Sequence, residues 1–328
     1  MPRQKNIVLI SLDDAVAFWR YKTLFGAELQ TPNLDRICAQ STAFHAAYCQ
    51  APVCSPSRAS LMSAKAPHVT GVVSPADPYL ERVPAKTTWP YKLRQAGYFC
   101  SWGGKVPYGY RPFPKEVHRV LYSDHRKRFS LDPRKRNFKD NKVPNRTPYG
   151  GFRGGLATIN DEGEQSLYDD QSTRSALSFL QSNDGDAPFY REVGLVATHG
   201  PWTTPSRFKD QYKPRRFKKP AEWEAGFEPC ETMETVSLRN YLNERLGFWQ
   251  KSIQTYFAAM SYVDYNISRI WDAIKTSPHA RDTIIVILSD HGMHLGERQR
   301  FCKRTLWEQV ANVPLIIHDP DQTQGQVV

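Results

Sequence analysis

Two strongly apolar runs in this chain end in residues equipped for chemistry. NIVLISL (6–12) leads into Asp13 and Asp14, and DTIIVILSD (282–290) ends in Asp290 and is followed by His291. Three carboxylates and an imidazole converging at one sheet edge repel one another unless a cation compensates them. Oxygen-rich ligation of this kind suits a hard divalent ion, calcium or magnesium, better than zinc. The plainer reading is local, with Asp13–Asp14 capping a turn and Asp290 stabilising a loop. Two strand ends with one signature weigh against it. Between the two runs lies CSPSR (54–58), a stretch too polar for a core. A lone cysteine is by default a small buried hydrophobe, so the meaning of Cys54 depends on what surrounds it.

The elements that must position these residues read as α/β. A continuous apolar strand such as 6–12 is the kind that parallel sheets bury on both faces. TPNLDRICAQ offers Thr31 as N-cap and Pro32 at the first helical position, which predicts a helix over about 32–41. The segment 86–96 repeats that logic and leads into the strand YFCSW. From Glu164 the pattern turns helical, and APFYREVGLVA supplies a further strand. A long helix is expected over roughly 236–275, where Tyr256, Met260, Val263, Ile267, Ile270 and Ile274 recur at spacings of three and four. VPLIIHD adds a last strand. Alternating strands and helices argue for a mostly parallel sheet covered on both faces, and in such sheets ligand sites form at the carboxyl ends of the strands.

At 328 residues, with 40% hydrophobic and 23% charged residues, the chain has ample material for a core. No apolar run approaches the roughly 18 residues of a membrane-spanning helix. MPRQKNIVLISLDD lacks the h-region and cleavage site of a signal peptide and reads as a buried strand, which makes the chain cytoplasmic if its N-terminus is native. The cysteines at 38, 49, 54, 100, 230 and 302 have neither CxxC pairing nor metal-knuckle spacing. The formal charge of +11 is concentrated in two segments: 101–155 carries 14 Lys or Arg against 4 Asp or Glu, and 207–219 carries 7 against 1. Such segments suit an anionic partner, though charge runs by themselves name none. Helix-turn-helix, zinc-finger and RNP-like patterns do not accompany them, so nucleic acid is not the expected partner. The Pro-, Gly- and Lys/Arg-rich stretch 106–155, and a second one at 200–234, read as long basic loop insertions in one domain covering 1–328.

The motifs LDD (12–14), TPNLDRI (31–37), CSPSRASLMS (54–63), GGK (103–105), THGPW (198–202), YFAAMSYVD (256–264), SDHGMHLGE (289–297), KRTLWE (303–308) and NVPLII (312–317) occur in this order along the chain. In them the sequence resembles the type I, formylglycine-dependent sulfatases of the alkaline phosphatase superfamily, closest to the iduronate 2-sulfatase and choline-sulfatase branch. The resemblance implies an alkaline-phosphatase-like α/β sandwich. It implies that Cys54, recognised with Pro56 and Arg58 by a formylglycine-generating enzyme, is oxidised to formylglycine, whose hydrate attacks sulfur with one hydroxyl and expels sulfate with the other. It implies Asp13, Asp14, Asp290 and His291 as ligands of Ca2+, with Mg2+ as the alternative, the shell being completed by residue 54. Arg58 would hold the nucleophile and carboxylates in register, Lys105 and Lys303 would bind sulfate oxygens, and His199 would protonate the leaving group. A second histidine should follow Lys105, with His118 and His125 as candidates.

What the resemblance implies as a whole is hydrolysis of a sulfate ester, on a sulfated carbohydrate or a small molecule. Two other readings stand beside it: a phosphonate or phosphate ester hydrolase of the same superfamily, and a truncated, inactive homologue that binds anionic glycans. The pattern is departed from in two places. Ala64 stands where relatives carry glycine, a change that a helix should tolerate, and the smaller C-terminal antiparallel subdomain of relatives is expected to be truncated or absent.

Overall fold

The computed structural model describes residues 4–107, 113–124, 158–159, 161–183, 185–200, 202–223, 246–322 and 324–328. Eleven strands are found among them: β1 (Asn6–Leu12), β2 (Thr42–Ala43), β3 (Phe99–Gly103), β4 (Thr158–Ile159), β5 (Phe189–Leu195), β6 (Thr204–Pro205), β7 (Thr283–Ser289), β8 (His294–Leu295), β9 (Phe301–Cys302), β10 (Leu315–His318) and β11 (Gln326–Val327). The longer helices are α1 (Pro32–Cys38), α2 (Cys54–Ser63), α3 (Trp89–Gln95), α4 (Lys115–Leu121), α5 (Tyr168–Ser182) and α6 (Leu246–Lys275).

Seven strands make the main sheet, in the order β11-β2-β10-β7-β1-β5-β3. β1 is central and pairs in parallel with β5 and β7, while β3 pairs in parallel with β5. Four strands thus end at one edge, as the alternating pattern predicts. The strand from VPLIIHD departs from that direction, since β10 is antiparallel to both β7 and β2. One apolar cluster joins β1, β5 and β7 to α5 and α6, and a second joins Leu9, Cys100 and Tyr190 to α2 and α4. Along α6, Tyr256, Met260, Val263, Ile267, Ile270 and Ile274 are all buried, as their spacing requires.

Several expected boundaries shift for physical reasons. α1 stops at Cys38, and its N-terminus is capped from a distance: the Asp264 carboxylate of α6 accepts the N–H groups of Asn33 and Leu34, while Thr31 makes no side-chain cap. The long helix begins at Leu246 among the described residues, and 236–245 lie outside them. Within the stretch read as a basic loop, Lys115–Leu121 forms α4, which buries His118 and Leu121. The second basic stretch carries the short helix Ser206–Asp210, with Phe208 buried. In both, an apolar anchor supplied by the fold outweighs the charge around it. Among the described residues, no helix is long and apolar enough to cross a membrane.

Candidate active site

Each parallel strand contributes to the shared edge just beyond its last residue. Asp13 and Asp14 follow β1, Lys105 follows β3, Thr198 and His199 follow β5, and Asp290 and His291 follow β7. The fifth contributor is α2, whose first residue is Cys54. Pro56 is tolerated there because the first helical turn needs no backbone donor.

The CSPSR stretch, too polar for a core by its composition, is nevertheless buried: Ser55, Ser57, Arg58, Ser60 and Ser63 are all among the buried polar residues. Much of that polarity is used. Ser57 Oγ donates to the Asp290 carbonyl at 2.5 Å. Arg58 is fully buried and reaches three strand ends at once. Its Nε donates to Asp290 Oδ2 at 2.9 Å, and Nη1 donates to the carbonyls of Lys105 (2.9 Å) and Val106 (2.6 Å). Its Nη2 lies 3.4 Å from Asp13 Oδ1 and donates to the Leu12 carbonyl.

Two more cations complete the cluster. Lys105 Nζ donates to Asp13 Oδ2 at 2.5 Å, and Lys303 Nζ donates to Asp14 Oδ1 at 2.6 Å and to Cys54 Sγ at 2.9 Å. His291 Nε2 lies 3.2 Å from Cys54 Sγ and 3.3 Å from Asp14 Oδ1. His199 Nε2 stands 4.0 Å from Asp14 Oδ2. The repulsion expected of three converging carboxylates is therefore relieved in part by Arg58, Lys105 and Lys303.

This setting redistributes protons. Burial alone would raise the Cys54 thiol, but Lys105 and Lys303 outweigh it and hold the sulfur well below its ordinary value. Burial would likewise raise Asp13, yet Lys105, His199 and Arg58 hold it well below the usual carboxylate range. Asp290 goes the other way: burial pushes it up to about 6 despite Arg58 and His291. For His291 burial disfavours the cation, but Asp290, Cys54 and Asp14 prevail and raise it to about 9.

The donors also fit a cation. Asp13, Asp14, Cys54 and His199 bring ligand atoms within 4.8 Å of one another, and so do Asp13, Cys54, Asp290 and His291. Asp13 Oδ1 is buried with no hydrogen-bond partner, an acceptor left available beside Arg58. Carboxylate oxygens with one or two imidazoles suit a hard divalent ion.

Of the two candidates for a second histidine, His118 lies in α4 with its ring 6.0 Å from Trp102 and 5.1 Å from Tyr122. It is not among the side chains that gather around Cys54 in these groupings. His125 lies outside the described residues.

Other contributors escaped the sequence reading. Asp14 has a left-handed backbone, φ 63°, a conformation that costs energy in a residue other than glycine. Tyr256 holds this turn: its hydroxyl donates to the Asp14 carbonyl at 2.7 Å and accepts Val16 N–H at 3.0 Å. Ser289 Oγ accepts Ala15 N–H at 3.0 Å. Asp169, in the first turn of α5, accepts the N–H groups of Val196 and Ala197 and so anchors the segment leading to His199. A tyrosine on an otherwise apolar buried stripe signals that its hydroxyl has a partner. Its spacing does not say which one. The GGK motif has a steric reason: Gly104 has φ +87°, and a Cβ there would come within 2.2 Å of the Gly194 carbonyl oxygen, so β3 turns toward Lys105 against the β5 backbone.

The family model described as Sulfatase matches residues 5–328. A sulfatase of Formosa agariphila is 30% identical over 98% of this chain and 66% of its own length. Human iduronate 2-sulfatase is 27% identical over 97% of this chain and 60% of its own length. The chain thus spans about three fifths to two thirds of these relatives. The phosphonate monoester hydrolase of Agrobacterium radiobacter superposes on 99% of this chain and 70% of its own, with a TM-score of 0.75 at 20% identity, a likeness of fold. The strand-end carboxylates, the cysteine heading α2 and a match running from one end of the chain to the other lead to one conclusion: this chain belongs to the sulfatase family.

Proposed function

We propose that this chain hydrolyses a sulfate ester, carried by a sulfated carbohydrate, with residue 54 as the nucleophile. The observation that supports this most is the surroundings of Cys54 Sγ: a helix N-terminus, Lys303 at 2.9 Å and His291 at 3.2 Å. That concentration of positive charge suits an anionic group such as a sulfate ester. Cys54 is the precursor in this reading, oxidised to formylglycine by a formylglycine-generating enzyme. Asp13, Asp14, Asp290 and His291 would hold a divalent cation together with residue 54. The cation is calcium in our reading, with magnesium as the alternative; when bound it acts as a Lewis acid on a sulfate oxygen.

The remaining roles belong to the chain's own side chains. Lys105 and Lys303 bind sulfate oxygens and stabilise charge that builds up at them. Arg58 keeps the three strand ends in register. His199, about a quarter exposed beside Asp14, donates a proton to the leaving-group oxygen. One catalytic domain, with the basic segments as insertions, carries the reaction. The two basic segments favour a polyanionic glycan over a small ester, in keeping with the name of the human relative, iduronate 2-sulfatase.

The test joins mass spectrometry to turnover. After co-expression with a maturing enzyme, the peptide containing Cys54 should carry the aldehyde. The protein should then hydrolyse 4-nitrophenyl sulfate faster than an aryl phosphonate, and Cys54→Ala should abolish this. A faster phosphonate reaction would favour the activity named for the Agrobacterium neighbour. A persistent thiol with no hydrolysis of any ester would favour an inactive, anion-binding homologue.

A further inference from the structure

A cavity of about 500 Å³ is built largely from segments that follow the catalytic residues in the chain. Arg20 and Tyr21 line it from the 3-10 turn Phe18–Tyr21, which follows the Asp13–Asp14 turn. Arg298 lines it from the turn Glu297–Gln299, and Trp307 from just beyond Lys303. Trp223 supplies a further wall. The wall that carries Trp307 and Gln309 is tied to the loop after His291: Met293 N–H donates to the carbonyl of Gln309, another lining residue, and Gly292 N–H to that of Val310.

Its chemistry differs from that of the catalytic cluster. Two indoles and a phenol ring line it, and its carboxylates, Glu222, Glu297 and Glu308, outnumber its two guanidiniums. Most of these charges are already engaged. Arg20 pairs with Glu308 at 2.7 Å and donates to Asn312 Oδ1 at 3.1 Å. Glu297 accepts the Tyr21 hydroxyl at 3.0 Å and the Leu295 N–H at 2.6 Å. A second sulfate, or a uronate carboxylate, would meet this excess of carboxylates and be repelled. A ring with apolar C–H faces and many hydroxyls meets the opposite: indoles to pack on, and carboxylate and guanidinium edges to hydrogen-bond. The volume is in the usual range for small-ligand sites, roughly 300–1,000 Å³. Arg298 has a left-handed backbone (φ 50°, ψ 38°), a strained conformation of the sort that collects at ligand sites.

We infer that this cavity is a subsite for an uncharged sugar ring, the neighbour of the residue whose sulfate ester lies at Cys54. The inference rests on the sulfate-ester reading above and narrows its substrate class, from polyanionic glycans in general to chains in which the sulfated residue adjoins a neutral one.

Binding can be tested apart from turnover, by saturation-transfer NMR on the matured, cation-loaded protein with lactose, cellobiose, N,N'-diacetylchitobiose and glucuronate as probes. Transfer to at least one neutral disaccharide is expected, with less to glucuronate. Trp223→Ala and Trp307→Ala should each weaken it about fivefold or more, the size of a lost aromatic contact, while Trp307→Phe retains most of it. The inference is overturned by no transfer to any neutral disaccharide, by stronger transfer to glucuronate, or by transfer that both alanine variants leave unchanged. Hydrolysis of 4-nitrophenyl sulfate by the same preparation reports on the sulfate-ester reading alone. Its absence would sink that reading, and the subsite would still stand or fall by the NMR result.

Discussion

Charged residues are buried both at the strand ends and in the middle of β5, and the two places manage them in opposite ways. At the strand ends, Asp13, Asp14 and Asp290 interlock with Arg58, Lys105 and Lys303 at 2.5 to 2.9 Å. In the middle of β5, Arg191 and Glu192 are adjacent and equally buried, yet neighbouring strand residues point to opposite faces. They therefore have no salt bridge with each other. Arg191 donates to Ser101 and Ser175 hydroxyls on one face, and Glu192 accepts the Tyr122 and Tyr190 hydroxyls on the other. Hydroxyls satisfy hydrogen bonds without neutralising charge. Burial consequently pushes Glu192 up to about 7 and Arg191 down to about 10, whereas the interlocked Asp13 stays well below its ordinary value. Asp13, with Lys105 and Arg58 against it, keeps its ionisation, Glu192, held by two phenol hydroxyls, drifts toward neutrality, and Asp290, bonded to Arg58 but deeply buried, lies between them.

The largest contrast should appear in the two cysteines beside these clusters. Lys105 and Lys303 hold the Cys54 sulfur well below its ordinary value against its burial, while burial and Glu192 push Cys100 up to about 12. In the unmatured, metal-free chain at pH 7, iodoacetamide should alkylate Cys54 at least about a thousand-fold faster than Cys100. Peptide mass spectrometry over a time course reads the ratio, and comparable rates would remove the electrostatic distinction.

Next in size are the two arginines. Arg58→Met leaves Asp290 and Asp13 buried without that partner and should cost about 3–5 kcal/mol. Arg191→Met removes a desolvated cation held by hydroxyls and should cost about 1 kcal/mol or less. Urea unfolding midpoints should separate the variants in that order, and equal losses would break the comparison.

A pH dependence follows. Glu192 titrates near 4.5 unfolded and near 7 folded. The folded protein thus binds the extra proton between those values, and its contribution to stability falls as pH rises through that window. Measured against Glu192→Gln, the wild-type protein should lose about 3 kcal/mol between pH 4.5 and pH 8. Thermal or urea unfolding at several pH values would show it, and a constant difference would refute the shift.

The smallest effect lies at the far end of the helix that presents Cys54. Ala64 is not in the helix, where alanine would be well tolerated, but at its C-cap with φ 56° and ψ 34°. Glycine adopts that conformation without the steric cost of a Cβ. Ala64→Gly should stabilise the protein by about 1 kcal/mol with no change in charge.

Much of this architecture could be read from residue order. The strand at 6–12, the carboxylates beyond it, the helix starting near Pro32 and the apolar stripe of α6 all follow from local periodicity and turn chemistry. The resemblance pointed to Lys303 and His199, which periodicity alone could not single out. Three features were hidden. α4 lies in a stretch whose charge masks two buried anchors. The cap of α1 comes from Asp264, 230 residues beyond Leu34. Tyr256 looked like core because its ring is core, while its hydroxyl bonds the strained turn at Asp14.

Sequence by itself determined the alternation of elements, the residue types at the strand ends and the family, because these depend on local spacing and on motif order. Tertiary structure alone decided where each buried charge finds its partner. A guanidinium such as Arg58 can satisfy several acceptors, and which ones it meets depends on strands far apart in the chain arriving at one edge. The same physics separates Glu192 from Asp13: similar carboxylates on neighbouring strands, one facing tyrosines and the other facing lysine and arginine.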